Sequence, residues 1–239
     1  MRAFERTKSL IGEAGLEALG RSHIAVIGVG GVGSHAAEAV VRAGVGAVTL
    51  VDDACIDVTN INRQIHATQQ TVGFPKVDVM RERLLSINPA CRIRAMRMRY
   101  SHDGTDALDL RQFDYVLDCI DSVSDKEALI VDCINARVRI ISSMGAGNRL
   151  DPTAFRIMDI YETSGDPLAR VMRSRLRKRG IQALKVVCSL EQPRKTAIKS
   201  DGRRRYPASV PFVPPVAGLV MASEAVMDIA IRNITKEKA

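Results

Sequence analysis

Hydrophobic positions along the first half of the chain fall into two alternating kinds of run. Residues 23–29 are short, apolar and closed by glycines, the pattern of a strand buried on both faces. Residues 34–43 are alanine-rich and helical in pattern, and Ala47–Val51 is a second apolar run, ended by Asp52 and Asp53. Over Lys76–Ile87 the apolar residues Val77, Met80, Leu84 and Ile87 recur every three or four positions, which predicts a helix that Pro89 stops. Strands over 92–98 and 115–119, a helix over 124–137 and a strand over 139–143 complete the series. Strand and helix in strict alternation predict an α/β fold: a doubly wound, Rossmann-type, mostly parallel sheet.

Beyond Met144 the pattern changes. Gly145-Ala146-Gly147 predicts a turn, Phe155–Asp159 a strand, and Asp166-Pro167 the cap of a helix running to about Lys178, with Leu168, Met172 and Leu176 facing inward. Residues 184–189 read as another strand. The polar stretch 191–205 reads as a long loop, a length that points to function. Pro207, Pro211, Pro214 and Pro215 then mark an extended approach to a last helix over 216–233. That segment nears the apolar length of a membrane span, yet Glu224 and Asp228 interrupt it at helical spacing, so it reads as a soluble helix packed on one side. The expected organisation is an N-terminal helical arm (1–22), a nucleotide-binding domain (23–150) and a smaller C-terminal lobe (151–239) continuing the same sheet.

Composition narrows the functional classes. The chain opens Met1-Arg2-Ala3-Phe4-Glu5-Arg6 with no apolar run behind it, and its five cysteines form no CxxC pair and no zinc spacing. Both features predict a cytoplasmic protein with reduced thiols and no membrane association. A formal net charge of +8 favours polyanionic partners. The excess is local: Arg170, Arg173, Arg175, Arg177, Lys178 and Arg179 cluster on one predicted helix, and Arg203-Arg204-Arg205 follow in the loop. Such runs form solvated faces as readily as they form binding sites.

The chemistry starts at Gly28-x-Gly30-Gly31-x-Gly33, placed after a strand and before a helix. There the glycines permit a tight turn, and the helix N-terminus attracts phosphate. Asp52, at the end of the second strand, is placed for ribose hydroxyls. These two features suit NAD and ATP equally. Asn60-Ile61-Asn62-Arg63-Gln64 and Lys76 separate the two, because a triphosphate needs cations beyond the helix end. Arg63 forks onto phosphate oxygens and Lys76 offers a point charge. Asp121, just past a strand at the ligand-binding edge of the sheet, is a carboxylate suited to Mg²⁺ held against phosphates.

Gly28-x-Gly30-Gly31-x-Gly33-Ser34, Val51-Asp52, Asn60-x-x-Arg63-Gln64, Gly73-x-Pro75-Lys76 and Asp118-x-x-Asp121, in that order, resemble the adenylation signature of the E1-like superfamily. The resemblance implies that Gly28, Gly30, Gly31, Gly33 and Asp52 bind ATP. It also implies that Asn60, Arg63, Gln64 and Lys76 meet its phosphates, and that Asp121 binds Mg²⁺. A narrower resemblance spans nearly the whole chain. Phe4-Glu5-Arg6-Thr7, Leu10-Ile11-Gly12, Thr59 to Ala67, Gly145-Ala146-Gly147, Asp166-Pro167-Leu168 and Pro211 to Gly218 are similar to the tRNA threonylcarbamoyladenosine dehydratase family. This implies ATP-dependent adenylation of the threonylcarbamoyl carboxylate on a tRNA adenosine, then intramolecular cyclisation with release of AMP. It further implies a homodimer in which Arg6 enters the partner's site, with room left for a sulfur-relay protein partner. The basic residues Arg170, Arg173, Arg177, Lys178, Arg203, Arg204 and Arg205 become the candidate tRNA-binding surface. Cys188 reads either as a core thiol or as an acyl carrier, with the core thiol favoured. Two other readings stay open here: activation of a ubiquitin-like sulfur carrier's C-terminus, and an NAD-dependent oxidoreductase. A nucleotide-sensing scaffold without catalysis is a third.

Overall fold

The computed structural model describes residues 2–101, 108–195 and 207–231. Seven strands form one sheet: β1 (His23–Ile27), β2 (Ala47–Val51), β3 (Arg92–Met96), β4 (Tyr115–Asp118), β5 (Ile140–Ser143), β6 (Phe155–Asp159) and β7 (Lys185–Ser189). Their order is β3-β2-β1-β4-β5-β7-β6. All pairings are parallel except β6 with β7, which is antiparallel. The winding reverses between β1 and β4, so the crevice at that switch point is where such a sheet receives ligands. The α/β, Rossmann-type prediction holds.

Six α-helices lie among the described residues: α1 (Glu5–Arg21), α2 (Gly33–Ala43), α3 (Lys76–Ile87), α4 (Val123–Asn135), α5 (Pro167–Lys178) and α6 (Val213–Ala230). Every buried residue of α3 (Val77, Met80, Leu84) lies in the helical stripe read from sequence. The largest core joins β1 and β2 to α2, α3 and α6 through Ile24, Val26, Val40, Val48, Leu50, Met80, Met221 and Ala225. A second cluster on the opposite face uses Ala25, Ile27, Val51, Val116 and Leu129, and a third packs α5 beneath Ile130, Ile160 and Val186.

Most boundaries agree with the sequence prediction to within one or two residues, and three differences have a clear physical cause. α6 begins at Val213, not at 216, because Pro214 and Pro215 occupy its first turn, where a missing N–H costs nothing. β3 ends at Met96, since the Met98 amide turns back to the Met96 carbonyl at 2.9 Å. α1 is broken at Gly12, whose φ of 78° and ψ of 170° no helix permits. α6 is long and apolar enough to span a membrane by composition, but 61% of it is buried inside the protein. Its Glu224 and Asp228 bind the Lys185 ammonium at 2.5 and 2.7 Å.

The contact between α2 and α6 is unusually close. A Cβ on Gly218 would lie 2.2 Å from the Val32 carbonyl oxygen, so only glycine lets α6 cross there. Gly218→Ala should therefore destabilise the fold by ~3 kcal/mol through overpacking against backbone that cannot yield. Urea denaturation checks this: the midpoint should fall with an unchanged m-value.

Candidate active site

Parallel β1, β2, β4, β5 and β7 bring their carboxyl ends to one edge, and the glycine loop, Asp52 and Asp121 follow those ends. After Ile27 the chain turns sharply. Gly28 has a φ of 91° and donates its N–H to the Val51 carbonyl at 2.8 Å. A Cβ on Gly33 would lie 1.9 Å from the Gly28 oxygen, and one on Gly28 would lie 2.8 Å from the Cys119 oxygen. At Gly30 a Cβ would meet no protein atom within 4 Å. The loop is therefore packed tightly on its inner side and open outward, where a phosphate can approach its backbone and the N-terminus of α2. Gly31 lies under Arg63 and Pro214, each 3.1 Å from where a Cβ on it would stand.

Asp52 holds this loop. Its Oδ2 accepts the Val29 N–H at 2.7 Å and its Oδ1 the Ala54 N–H at 2.9 Å, while the Lys76 ammonium stands 3.9 Å from Oδ1. A carboxylate has about four acceptor positions, so capacity for ribose hydroxyls remains. Asn60 is buried in a short 3-10 turn, Val58–Asn60, where its Oδ1 caps the Asp57 N–H at 3.1 Å. The Arg63 Nη1 donates to the Thr59 carbonyl at 2.9 Å and to Asn62 Oδ1 at 3.0 Å. Gln64 is buried with its Oε1 unpartnered in the protein. Lys76 starts α3, its side chain only 13% exposed. Asp121 is exposed on the turn after β4 and makes no hydrogen bond or ion pair with described residues. No cluster of three or more His, Cys, Asp or Glu side chains suited to a metal occurs among the described residues. A single carboxylate at the crevice fits magnesium, which binds one or two carboxylates and takes its other ligands from phosphates and water.

Two buried ion pairs beneath this rim escaped the sequence reading. The Lys126 ammonium, fully buried, donates to Asp118 Oδ2 at 2.8 Å and to Ser142 Oγ at 3.1 Å. Asp118 Oδ1 accepts the Ile120 N–H at 3.1 Å, which shapes the turn carrying Asp121. A signal existed: Lys126 shares a helical stripe with Leu129, Ile130 and Cys133, an apolar face with one cation in it. Arg149 Nη2 meets Asp166 Oδ2 at 2.5 Å, and its Nε donates to the Gly145 carbonyl at 3.0 Å, fixing the Gly145–Gly147 turn.

The remaining candidates lie elsewhere. Arg6 is exposed on α1 and forms no hydrogen bond or ion pair with described residues. Cys188 is 1% exposed, and burial pushes its thiol up to about 11, as in a core cysteine. On α5, Arg173 donates to the Thr163 carbonyl at 2.9 Å, and Arg177 stacks 5.0 Å from the Tyr161 ring centre. Arg175 and Arg179 pair with Glu127 at 2.7 and 2.8 Å. Arg170 and Lys178 are exposed, and neither forms a hydrogen bond or ion pair with described residues. Arg203, Arg204 and Arg205 lie outside the described residues.

Comparison with known proteins matches residues 4–236 to the ThiF family. A tRNA threonylcarbamoyladenosine dehydratase of Bacillus subtilis (strain 168) is 44% identical over 243 residues, covering 96% of this chain and 95% of that protein. The crystal structure of the E. coli tRNA N6-threonylcarbamoyladenosine dehydratase in complex with AMP superposes with a TM-score of 0.91 at 36% identity. It covers 98% of this chain and 96% of the other. The same E. coli protein in complex with ATP gives a TM-score of 0.87 at 34% identity, with the same two coverages.

Behind the phosphate-side residues, His66 is buried with neither ring nitrogen partnered in the protein. Burial first, then the positive charge of Lys76 and the nearby His35 and Arg83, lower its pKa from 6.5 to about 4. The folded state thus binds this proton less readily than the unfolded chain does. The stability so linked is intact above pH 6.5 and is lost as pH falls from 6.5 to about 4, by on the order of 3 kcal/mol. His66→Gln should flatten that acid limb by about this amount in urea titrations run at successive pH values.

Proposed function

The chain belongs to the ThiF family, and from that premise we infer that it is an ATP-dependent tRNA threonylcarbamoyladenosine dehydratase. The observation that carries the reading is the convergence of the glycine loop, Arg63, Lys76 and Asp121 on the switch-point crevice of a fold shared end to end with proteins of that name. An NAD-dependent dehydrogenase would leave the cations and Asp121 without a role.

A carboxylate is a poor electrophile because its leaving group would be oxide. The enzyme overcomes this by letting the threonylcarbamoyl carboxylate oxygen attack the α-phosphorus of ATP, forming an acyl–adenylate and expelling diphosphate. A nucleophile within the same threonylcarbamoyl group then attacks the acyl carbon, and AMP leaves. One water is lost from the nucleoside. The second step is intramolecular, so proximity supplies much of the rate and no acid–base triad is needed.

The residues divide this work by position. The open face at Gly30 and the N-terminus of α2 receive phosphate oxygens, and Asp52 retains acceptor capacity for the ribose. Arg63 and Lys76 stabilise the negative charge that gathers on the α-phosphorus and the departing diphosphate. Asn60 offers its carboxamide nitrogen, which makes no hydrogen bond with described residues, and Gln64 lies behind it. Asp121 would hold Mg²⁺, whose charge further offsets that of the phosphates. Partial burial lowers the Arg63 pKa from its ordinary value, by removing water from the guanidinium.

The same reading makes the chain a cytoplasmic homodimer. Arg6 stands exposed beside Leu10, which is 88% exposed, on the arm that would reach a second copy. Leu219, Met227 and Ile231 are exposed on and just past α6, the helix against which α1 packs. In this assembly Arg6 would add a cation to the partner's phosphates.

Radiolabelled ATP incubated with threonylcarbamoyl-modified tRNA tests the reaction. AMP should appear together with a nucleoside lighter by one water. Lys76→Ala and Asp121→Ala should each lower kcat roughly a hundredfold or more. AMP formed only in the presence of a ubiquitin-like protein tail, with the tRNA unchanged, would reassign the acyl substrate.

A further inference from the structure

At the opposite edge of the sheet, where β1, β2 and β3 begin, lies an open surface hollow of about 240 Å³ lined by His23, Ala47, Arg92, Ile93 and Arg94. Its origin is a matter of register. His23 pairs with Ala47 and Ala47 with Arg92, so the three stand side by side on one face of the sheet. Arg94 lies level with Thr49 in the next row of that face. The small Ala47 between two large neighbours leaves the hollow.

The walls are cationic and uncommitted. Arg92 and Arg94 are both exposed, and neither guanidinium makes a hydrogen bond or ion pair with described residues. The His23 ring is fixed from two sides, by a contact of 2.9 Å between its Nε2 and Thr49 Oγ1 and by an edge-on contact with Phe113 at 4.7 Å. The nearby Asp114 carboxylate is turned toward the His23 backbone, accepting its N–H at 2.8 Å. β3 ends the sheet, so its outer side has no strand partner among the described residues. Past the end of β3 the chain carries two further arginines, both engaged within the protein. Arg97 reaches the Cys55 sulfur at 3.4 Å, and Arg99 pairs with Asp125 at 2.7 Å. Cys55 in turn bridges Pro75, the residue before Lys76. The edge therefore leads from the hollow to the nucleotide site.

We propose that this hollow, through Arg92 and Arg94 on its walls, binds backbone phosphates of an RNA running along β3 toward the active site. The occupant follows from charge and shape. Two guanidiniums two residues apart on a strand, ~6.6 Å along it, can fork onto phosphate oxygens without reading sequence. A second copy of the chain is a poor occupant, because antiparallel pairing of β3 with itself centred on Ile93 or Arg94 would set arginine against arginine. Simple protection of a sheet edge by charge accounts for exposed arginines but not for a hollow beside them. On the reading above this RNA is the substrate, and the proposal rests on it.

Arg92→Glu/Arg94→Glu, a surface change that spares the core, supplies the test. Binding of threonylcarbamoyl-modified tRNA to the full chain is followed by fluorescence anisotropy across a salt series, alongside MgATP binding and Tm. The variant should bind tRNA at least roughly tenfold more weakly, with the slope of log K against log salt smaller by about one to two. MgATP affinity and Tm should not change. Wild-type and variant curves that coincide in affinity and slope would overturn the site while leaving the dehydratase reading intact. A wild-type chain that binds MgATP but no tRNA would remove both. A variant that keeps its tRNA affinity but changes its oligomeric state would assign the edge to a second copy and overturn the RNA track.

Discussion

The carboxyl end of β1 is tightly crowded, and the rest of the site is arranged around that crowding. The Gly28 oxygen leaves no room for a Cβ at Gly33, and Gly28 itself is pressed against the Cys119 carbonyl. These two contacts bring three things together: the first turn of α2, the loop that precedes it, and the turn after β4 that carries Asp121. Because the strands are parallel and the winding reverses at β1 and β4, the same crowding lies at the topological switch point. α6 is then drawn in by a second close approach, Gly218 against Val32, which brings Pro214 over Gly31. Glycine is required at these positions for space, and at Gly30 for access.

What crowding positions, buried charge fixes. A buried pair such as Lys126 with Asp118 rarely adds stability, since the cost of removing both ions from water rivals their attraction. Its consequence here is geometric. Asp118 is tied on one oxygen to Lys126 and Ser142 and on the other to the Ile120 amide, so the turn ending in Asp121 has one low-energy shape. Arg149 and Asp166 act likewise at the neighbouring turn, where Asp166 also caps α5 through the Ala169 amide at 2.7 Å. Asp52 is the third such anchor, between the glycine loop and Lys76. Asp52, Asp118 and Asp166 are each engaged with backbone amides and a cation. Asp121 makes no such bond with described residues.

The sequence conveyed the strands, the helices and the order of the motifs because those depend on local periodicity and on glycine placement. Lys76–Ile87 was legible to the residue, since its apolar spacing and Pro89 act within one helix. The start of α6 was not, because a pair of prolines is compatible with an extended segment and with a first helical turn, and only the close packing on α2 selects the turn. The basic stripe of α5 shows a different limit. Arg175 and Arg179 are neutralised by Glu127, 48 and 52 residues away in the chain, and no spacing rule connects residues so distant. The His23–Ala47–Arg92 row was hidden for the same reason, being created by strand register alone. Asp118 was visible as part of a motif, but its partner Lys126 lies on the next helix, and only the packing of that helix on the sheet brings the two together.

The excess of positive charge acquires a distribution once partners are assigned. Much of α5's charge is returned to the protein itself, through Glu127, Thr163 and Tyr161. Arg42 and Arg83 share Glu38 on the α2–α3 side. Among the described residues, uncommitted cations include Arg6 on the arm, Arg170 and Lys178 on α5, Arg81, Arg137 and Lys195, and Arg92 and Arg94 along the β3 edge. Net charge raises the rate at which any polyanion arrives, but committed cations are already screened by their partners and contribute little to orientation. Orientation must come from uncommitted cations held on rigid elements, and a strand paired to the central sheet is the stiffest support available. A substrate whose reactive carboxylate is a small part of a large polyanion needs such a guide, because contacts at the reacting end alone would leave most of its rotational freedom to be lost at the moment of reaction.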